Sequence, residues 1–264
     1  MSARGCYYRR AGTNGDDKIF DSTDFTRSNW SPDLQHGSPP LALLTAAVED
    51  LIAGSGLRIG RLNLDILGAV PVARLRARAW VERPGKRICL LGAELRDDDS
   101  GRAVARLSAW ALAVTDTRDA ATDRHPPLAD GAESAKPAWW DAASGYFDSV
   151  RWRYQGQQPD GTAVAWLSPL VHVVDSDETT PLQRLAMVVD SANGVGAILD
   201  FSEFSFMNTD TVVHLHRLPT GGDFGLRARA SIGPDGIGVT TAELFDHTGF
   251  IGTSAQTLLV QRLR

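Results

Sequence analysis

"LRARA" stands at residues 75–79 and is written again at residues 226–230, in the second half of a 264-residue chain. The neighbours of each copy decide whether the repeat is chance. The first runs on into WVERPGKRICLLGAELRDDDSGRAVARLSAWALAV (80–114), the second into SIGPDGIGVTTAELFDHTGFIGTSAQTLLV (231–260). After each copy come a Gly-containing turn, an AEL stretch (93–95 and 242–244), an acidic turn ending in Gly101 or Gly249, and a closing apolar run. The same elements in the same order predict an internal duplication.

The repeated elements are strand-like. RLNLDILGAV, ARLRARAWVE, RICLLGAELRD and AVARLSAWALAV alternate or carry β-branched residues between turn signals, and DTVVHLHR, FGLRARASI, GVTTAELFD and IGTSAQTLLV repeat the pattern. PGK at 84–86 and PDG at 234–236 supply hairpin turns, Pro presetting φ and Gly reaching positive φ. Upstream of each strand set one helix is expected. The first begins at Ser38-Pro39-Pro40 and runs LALLTAAVEDLI, with Leu41, Leu44, Val48 and Leu51 as its apolar stripe. The second begins at Thr180-Pro181 and runs LQRLAMVVDSANGVGAIL, with Leu182, Leu185, Val189 and Ala192 in the matching places. Ser38 and Thr180 are the expected N-caps, each followed by Pro at the first helical position, and Thr180 with Gln183 fits a capping box. Extra strands are expected before each helix, around 7–9 and 19–25 and around 147–154 and 163–173. One helix against one antiparallel sheet, duplicated, is an α+β plan. The expected division is an N-terminal half at 1–116, a linker at 117–143 rich in Asp, Ala, Pro and Gly, and a C-terminal half at 144–264. Trp139 and Trp140 near the linker's end read as packing anchors.

Composition narrows the function. With 43% hydrophobic and 22% charged residues the chain is ordinary globular protein, and a net charge of -5 argues against general nucleic-acid binding. Only Lys18, Lys86 and Lys136 are lysines among the basic residues, an Arg bias that fits a GC-rich bacterial source. Cys6 and Cys89 have no paired spacing, MSARGCYYRRAGTNGDD has no apolar signal core, and no apolar run reaches the roughly 20 residues of a membrane span. A cytoplasmic protein without a membrane span is expected. His214 and His216 share one strand face but lack a third ligand, DDDSGR resembles a calcium loop only superficially, and GTSAQ lacks the last Gly of a nucleophile elbow. No metal and no cofactor are expected.

HGSPPLALLTAAVE (36–49), the turn Gly85-Lys86-Arg87, DSANGVGAILD (190–200), NTDTVVHLHR (208–217) and GTSAQTLLV (252–260) together resemble the double-hotdog acyl-CoA thioesterases, the acyl-CoA thioesterase II group and its bacterial thioesterase-like relatives. The resemblance covers nearly the whole chain outside the linker. It implies a tandem double hotdog that hydrolyses acyl-CoA or acyl-carrier thioesters, with a helix Asp, a hydroxyl residue on the next strand and a Gln on the last strand as the catalytic set. Carried over by position, the Asp is Asp190 and the Gln is Gln256. The middle position falls on Asn208, where thioesterase II members have Thr, with Thr209 and Thr211 as its neighbours. Asn208 can hold a water but cannot be a hydroxyl nucleophile. Asn208 or Thr209 is therefore the expected assistant of Asp190 and Gln256. Alternatives are a catalytically weak binding protein for acyl-CoA or acyl carrier, and a hotdog dehydratase.

The residues themselves leave choices open. On a helical wheel Asp190 lies on the flank of the apolar stripe, as does its repeat counterpart Glu49; each either serves chemistry or marks a helix edge. Gln256 is matched by Ser108, so the halves differ in both groups and one ancestral site is expected to have kept its chemistry. Asn193 either bonds within the site or caps a break before Gly194 and Gly196. His36 and Gly37 either face a thioester or pantetheine or simply lead into the helix, and Arg217 either meets a CoA phosphate or is a surface charge. Sheet edges leave room for a homo-oligomer.

Overall fold

The computed structural model describes residues 5–134, 145–175 and 177–263. Its N-terminal half holds β1 (Cys6–Asn14), β2 (Asp17–Ser22), α1 (Ser38–Ile52), β3 (Leu57–Ile66), β4 (Arg74–Arg83), β5 (Ile88–Asp97) and β6 (Ala103–Ala113). The C-terminal half holds β7 (Val150–Gln157), β8 (Ala163–Pro169), β9 (His172–Val174), α2 (Pro181–Val189), α3 (Ala192–Val195), β10 (Phe204–Asn208), β11 (Asp210–Leu215), β12 (Phe224–Ile232), β13 (Ile237–Asp246) and β14 (Gly249–Arg262).

The two LRARA copies lie in β4 and β12 with the same burial order: Leu and the first Ala buried, the second Arg exposed. Alternation along a strand sends Leu75, Ala77, Leu226 and Ala228 to the helix side and the arginines to the outer face. Register differs between the copies. Ala79 stands opposite Ala93 in the first hairpin, whereas Ala228 stands opposite Ala242 in the second. Relative to LRARA the AEL strand has slipped by two residues, an even slip that keeps every side chain on its face.

The strands form one sheet in the order β7-β8-β12-β13-β14-β11-β3-β6-β5-β4-β2-β1-β9, with β10 paired to β14. Apart from β9 and β10 the order reads the same from both ends, as a duplication requires. The halves join through antiparallel β11 and β3, Val212 opposite Asn63. Each half wraps its sheet around one helix, so the chain is an α+β tandem double hotdog. The linker segment up to residue 134 runs over the outer face of the C-terminal sheet: His125 stacks on Phe250 at 3.7 Å, and the Ser134 N–H donates to the Tyr154 carbonyl at 2.7 Å. Trp139 and Trp140 fall outside the described residues. Among the described residues no helix is long and apolar enough to cross a membrane.

Three helix details depart from expectation. Ser38 is the first residue of α1 and not its cap; Gly37 takes the cap position in helical geometry. Leu51 is exposed, and Ile52 takes the buried place at the end of α1 instead. The second helix does not run on through DSANGVGAIL: α2 stops at Val189, and the short α3 follows. The Asp190 carbonyl accepts from the Gln256 side chain at 3.0 Å, and Asn193, Gly194 and Gly196 are poor helix formers. Thr180 does form the capping box with Gln183. β10 was not foreseen; it occupies sequence that follows the broken helix.

Candidate active site

The helices run antiparallel, so each ends against the start of the other. This places Asp190, at the end of α2, against Gly37 at the start of α1, and Glu49 of α1 against Thr180 at the start of α2. The two carboxylates that repeat one another thus meet opposite entrances, and the entrances differ. Glu49 Oε2 accepts from the Thr180 hydroxyl at 2.9 Å and from the Gln183 carboxamide at 2.8 Å, so its better-placed oxygen is bound to the capping box. Asp190 meets a glycine.

Asp190 is 3% exposed and one of its oxygens is saturated. Oδ1 accepts from Thr211 Oγ1 at 2.6 Å, Asn208 Nδ2 at 2.8 Å and Gln256 Nε2 at 3.2 Å. Gln256 Nε2 is also 3.0 Å from the Asp190 carbonyl and 3.1 Å from Thr211 Oγ1, so the carboxamide ties the helix end to β14 and β11 together. Among the described residues no hydrogen bond reaches Oδ2; the His36 ring lies beside it, Nδ1 at 3.5 Å. Oδ2 occupies the space a side chain at position 37 would take: a Cβ there would stand 2.5 Å from it. Gly37 has φ of -70°, so the glycine is required by this approach and not by its backbone.

The carboxylate opens on a cavity of about 370 Å³ that His36, Gly37, Asn193, Asn208 and Thr209 also line. Its apolar wall includes Trp30, Leu34, Val70, Phe147, Trp152 and Phe206. Asn193 is buried and its Oδ1 has no hydrogen-bond partner among the described residues. Tyr146 underlies the entrance. Its hydroxyl donates to the Met187 carbonyl at 2.9 Å, accepts from Ser38 at 3.2 Å and lies 2.7 Å from the Ser191 hydroxyl, and burial pushes its pKa up.

The structure therefore brings together Asp190, Gln256, Asn208, His36, Gly37 and Asn193. Thr209 also lines the cavity but is exposed, and its hydroxyl bonds Asp210 Oδ1 at 3.4 Å rather than the Asp190 carboxylate. The hydroxyl bonded to Asp190 belongs to Thr211, which position-by-position carry-over passed by. The signal was present: Thr211, Val213 and Leu215 alternate inward on β11, while His214 and His216 point out. Tyr146 carried no signal, being one aromatic among many. Arg217 does not line the cavity. Its guanidinium bonds both oxygens of Asp246, at 2.6 and 2.7 Å, and the Gly249 carbonyl. Ser108, the counterpart of Gln256, accepts from Arg61 at 2.8 Å. Among the described residues no three His, Cys, Asp or Glu side chains are grouped to hold a metal.

Glu49 supplies a stability test. Burial pushes its pKa up, opposed by the bonds from Gln183 and Thr180. A raised folded pKa favours the protonated form, so ionised Glu49 weakens the fold above the ordinary glutamate range and costs nothing below it. Glu49→Gln keeps an acceptor for Thr180 and Gln183. It is expected to raise Tm at pH 7, the gain vanishing as pH falls below about 4. A thermal melt series against pH checks this; an equal Tm shift at all pH values would refute it.

A buried carboxylate with three donors on one oxygen thus lies beside an apolar cavity lined by residues of both halves. The chain belongs to the acyl-CoA thioesterase family: residues 26–112 match its N-terminal domain and residues 115–260 its C-terminal domain. It is a thioester hydrolase acting on acyl-CoA substrates. Solved structures share the fold. A hot dog fold protein of Alicyclobacillus acidocaldarius is 15% identical with a TM-score of 0.70, covering 96% of both chains. An acyl-CoA thioesterase II of Mycobacterium marinum is 11% identical with a TM-score of 0.68, covering 95% of this chain and 94% of its own. The TesB protein of Mycobacterium avium subs paratuberculosis is 12% identical with a TM-score of 0.65, covering 96% of both. No curated protein matches the chain by sequence.

Proposed function

We propose that hydrolysis takes place at Asp190, with Thr211, Gln256 and Asn208 holding the carboxylate and Oδ2 acting as the base. The observation that carries this is the asymmetry of the carboxylate in a residue that lines the cavity: three donors on Oδ1, and for Oδ2 no hydrogen bond among the described residues, the His36 Nδ1 lying 3.5 Å away. A water on Oδ2 attacks the thioester carbon and gives its proton to Asp190 as the carbonyl pair moves to oxygen. The carbonyl then re-forms, the C–S bond breaks, and the proton passes from Asp190 to the leaving sulfur. The products are a carboxylic acid and a free thiol, and Asp190 is regenerated. The apolar wall takes the acyl group.

The same reading assigns the chemistry to one half only, because Thr180 and Gln183 bind the counterpart Glu49. It divides the chain at 1–116, 117–143 and 144–264, between the end of β6 and the turn that begins at Gly145. Cys6 and Cys89 are both free and buried, which fits a reducing cytoplasm.

The hydroxyl assignment gives the test. In a thiol-release assay over an acyl-CoA chain-length series, Thr211→Val is expected to lower kcat about ten- to a hundredfold, the size of a lost hydrogen bond to a charged group. Thr209→Val is expected to stay within about twofold of wild type, a change too small to involve such a bond. Equal losses at both positions would refute the assignment. Tight acyl-CoA binding without thiol release would refute turnover at this site, and loss of water from a 3-hydroxyacyl-CoA would point to a dehydratase.

A further inference from the structure

We propose that the His36 imidazole, as its neutral Nε2–H tautomer, donates to the thioester carbonyl and stabilises the oxyanion formed during hydrolysis. This rests on the Asp190 reading but adds a residue whose side chain that reading does not use.

The tautomer follows from how α1 begins. Pro39 and Pro40 have no N–H, so Ser38 has the first helical N–H that needs an acceptor outside the helix. It finds His36 Nδ1 at 3.1 Å. A nitrogen that accepts carries no proton, so in the neutral ring the hydrogen sits on Nε2. Nε2 donates to no described residue, and the ring lines the cavity with 14% of its side chain exposed. The donor is thus left for a ligand.

The ring is fixed in place. It stacks on Tyr146 with centroids 3.8 Å apart and planes 7° from parallel. Tyr146 is itself held by Ser38, Met187 and Ser191, so both helices set the plane of the imidazole. A donor that needs no reorganisation during the reaction is what oxyanion stabilisation requires. The opposite edge of the ring faces Asp190 Oδ2. His36 and Asp190 both line this cavity, so a carbonyl on Nε2 and a water on Oδ2 would meet within it. The groups facing the ring are the Asp190 carboxylate, the Tyr146 hydroxyphenyl and the Ser38 N–H. Of these only Asp190 favours the imidazolium, and burial outweighs it, pushing the ring pKa below the ordinary histidine value.

A purely structural role, His36 as the cap of α1, makes a different prediction. His36→Asn keeps an oxygen where Nδ1 accepts from Ser38 but removes the group at Nε2. His36→Gln places a carboxamide N–H near the Nε2 position. His36→Asn is expected to fold with a wild-type Tm and lose about 10²- to 10³-fold in kcat, with KM changed less than about threefold. His36→Gln is expected to recover at least about tenfold of that loss, part of the contribution of one oxyanion donor. Wild-type kcat in a folded His36→Asn, or no recovery in a folded His36→Gln, would overturn the proposal. Imidazole ¹⁵N shifts of the unaltered protein at pH 7 give a second readout. Neutral Nε2–H, with Nε2 moving when a non-hydrolysable acyl-CoA thioether is added, supports it; a cationic ring or the Nδ1–H tautomer overturns it. Asp190→Asn measured in parallel separates the two readings: full activity there removes the base and leaves the His36 result standing, whereas an inactive Asp190→Asn with an active His36→Asn removes only the histidine.

Discussion

Asp190→Asn is expected to lower kcat about 10²- to 10⁴-fold, the range for losing a general base, with a melting temperature close to wild type. The fold should tolerate the change because the carboxamide oxygen can take the place of Oδ1. Thr211, Asn208 and Gln256 then keep the acceptor they bind at 2.6, 2.8 and 3.2 Å. What is lost is Oδ2. An amide nitrogen has no lone pair to take a proton from water, and it turns a donor toward His36 Nδ1. The pinned oxygen and the open one thus make opposite predictions for stability and rate, and a single substitution reads both. Thiol release followed spectrophotometrically, with a melt by circular dichroism, is sufficient. A folded Asp190→Asn that turns over at the wild-type rate would remove Asp190 from the mechanism.

Gly37→Ala is the second large effect, from one methyl group. The backbone there is already helical, so alanine meets no conformational strain in φ and ψ. The obstacle is steric: the new Cβ would stand 2.5 Å from Oδ2 and 2.9 Å from Cγ of Asp190. Something must move. The carboxylate is held by its three donors, and the entrance of α1 is held by the Ser38 and Tyr146 bonds. Overpacking of this kind costs about 1–3 kcal/mol. A reacting group displaced by about 1 Å can lose roughly 10²-fold in rate, so kcat is expected to fall by that order. The same substitution at Gly101, where a Cβ meets nothing within 4 Å, controls for surface effects, since its positive φ of 67° strains only a hairpin turn. Activity unchanged in Gly37→Ala would mean that Oδ2 does not need its present position.

Much of this architecture was legible in the chain. Period-2 runs between Gly and Pro turns define strands because side chains alternate faces and turns need special φ. The duplication could be followed because two copies of one local solution retain the same small residues on the packed face, as Ala77 and Ala228 do. The boundary errors have local causes too. Asp190 and Ala192 keep the helical period beyond Val189, but there a side chain of β14, Gln256, takes the Asp190 carbonyl and the helix breaks. Thr211 lies three residues beyond Asn208, on the next strand, so a carry-over to one position does not reach it, although both side chains bond Asp190 Oδ1.

By itself the sequence determined a duplicated plan of one helix against one antiparallel sheet, the capped start of α2, and a carboxylate on the flank of each helix; the hotdog fold and the role of the last-strand Gln256 came from the family resemblance. The plan, the cap and the flanking carboxylates depend on interactions within a few residues or on hydrophobic period, which composition along the chain records. Only the tertiary structure decided which carboxylate is free. Antiparallel packing of α1 and α2 brings Asp190 to a glycine and Glu49 to a threonine that hydrogen-bonds it, and it sets His36 between Tyr146 and Asp190. Those partners are half a chain apart. No local propensity couples them; they meet because two apolar helices must be buried together inside one sheet.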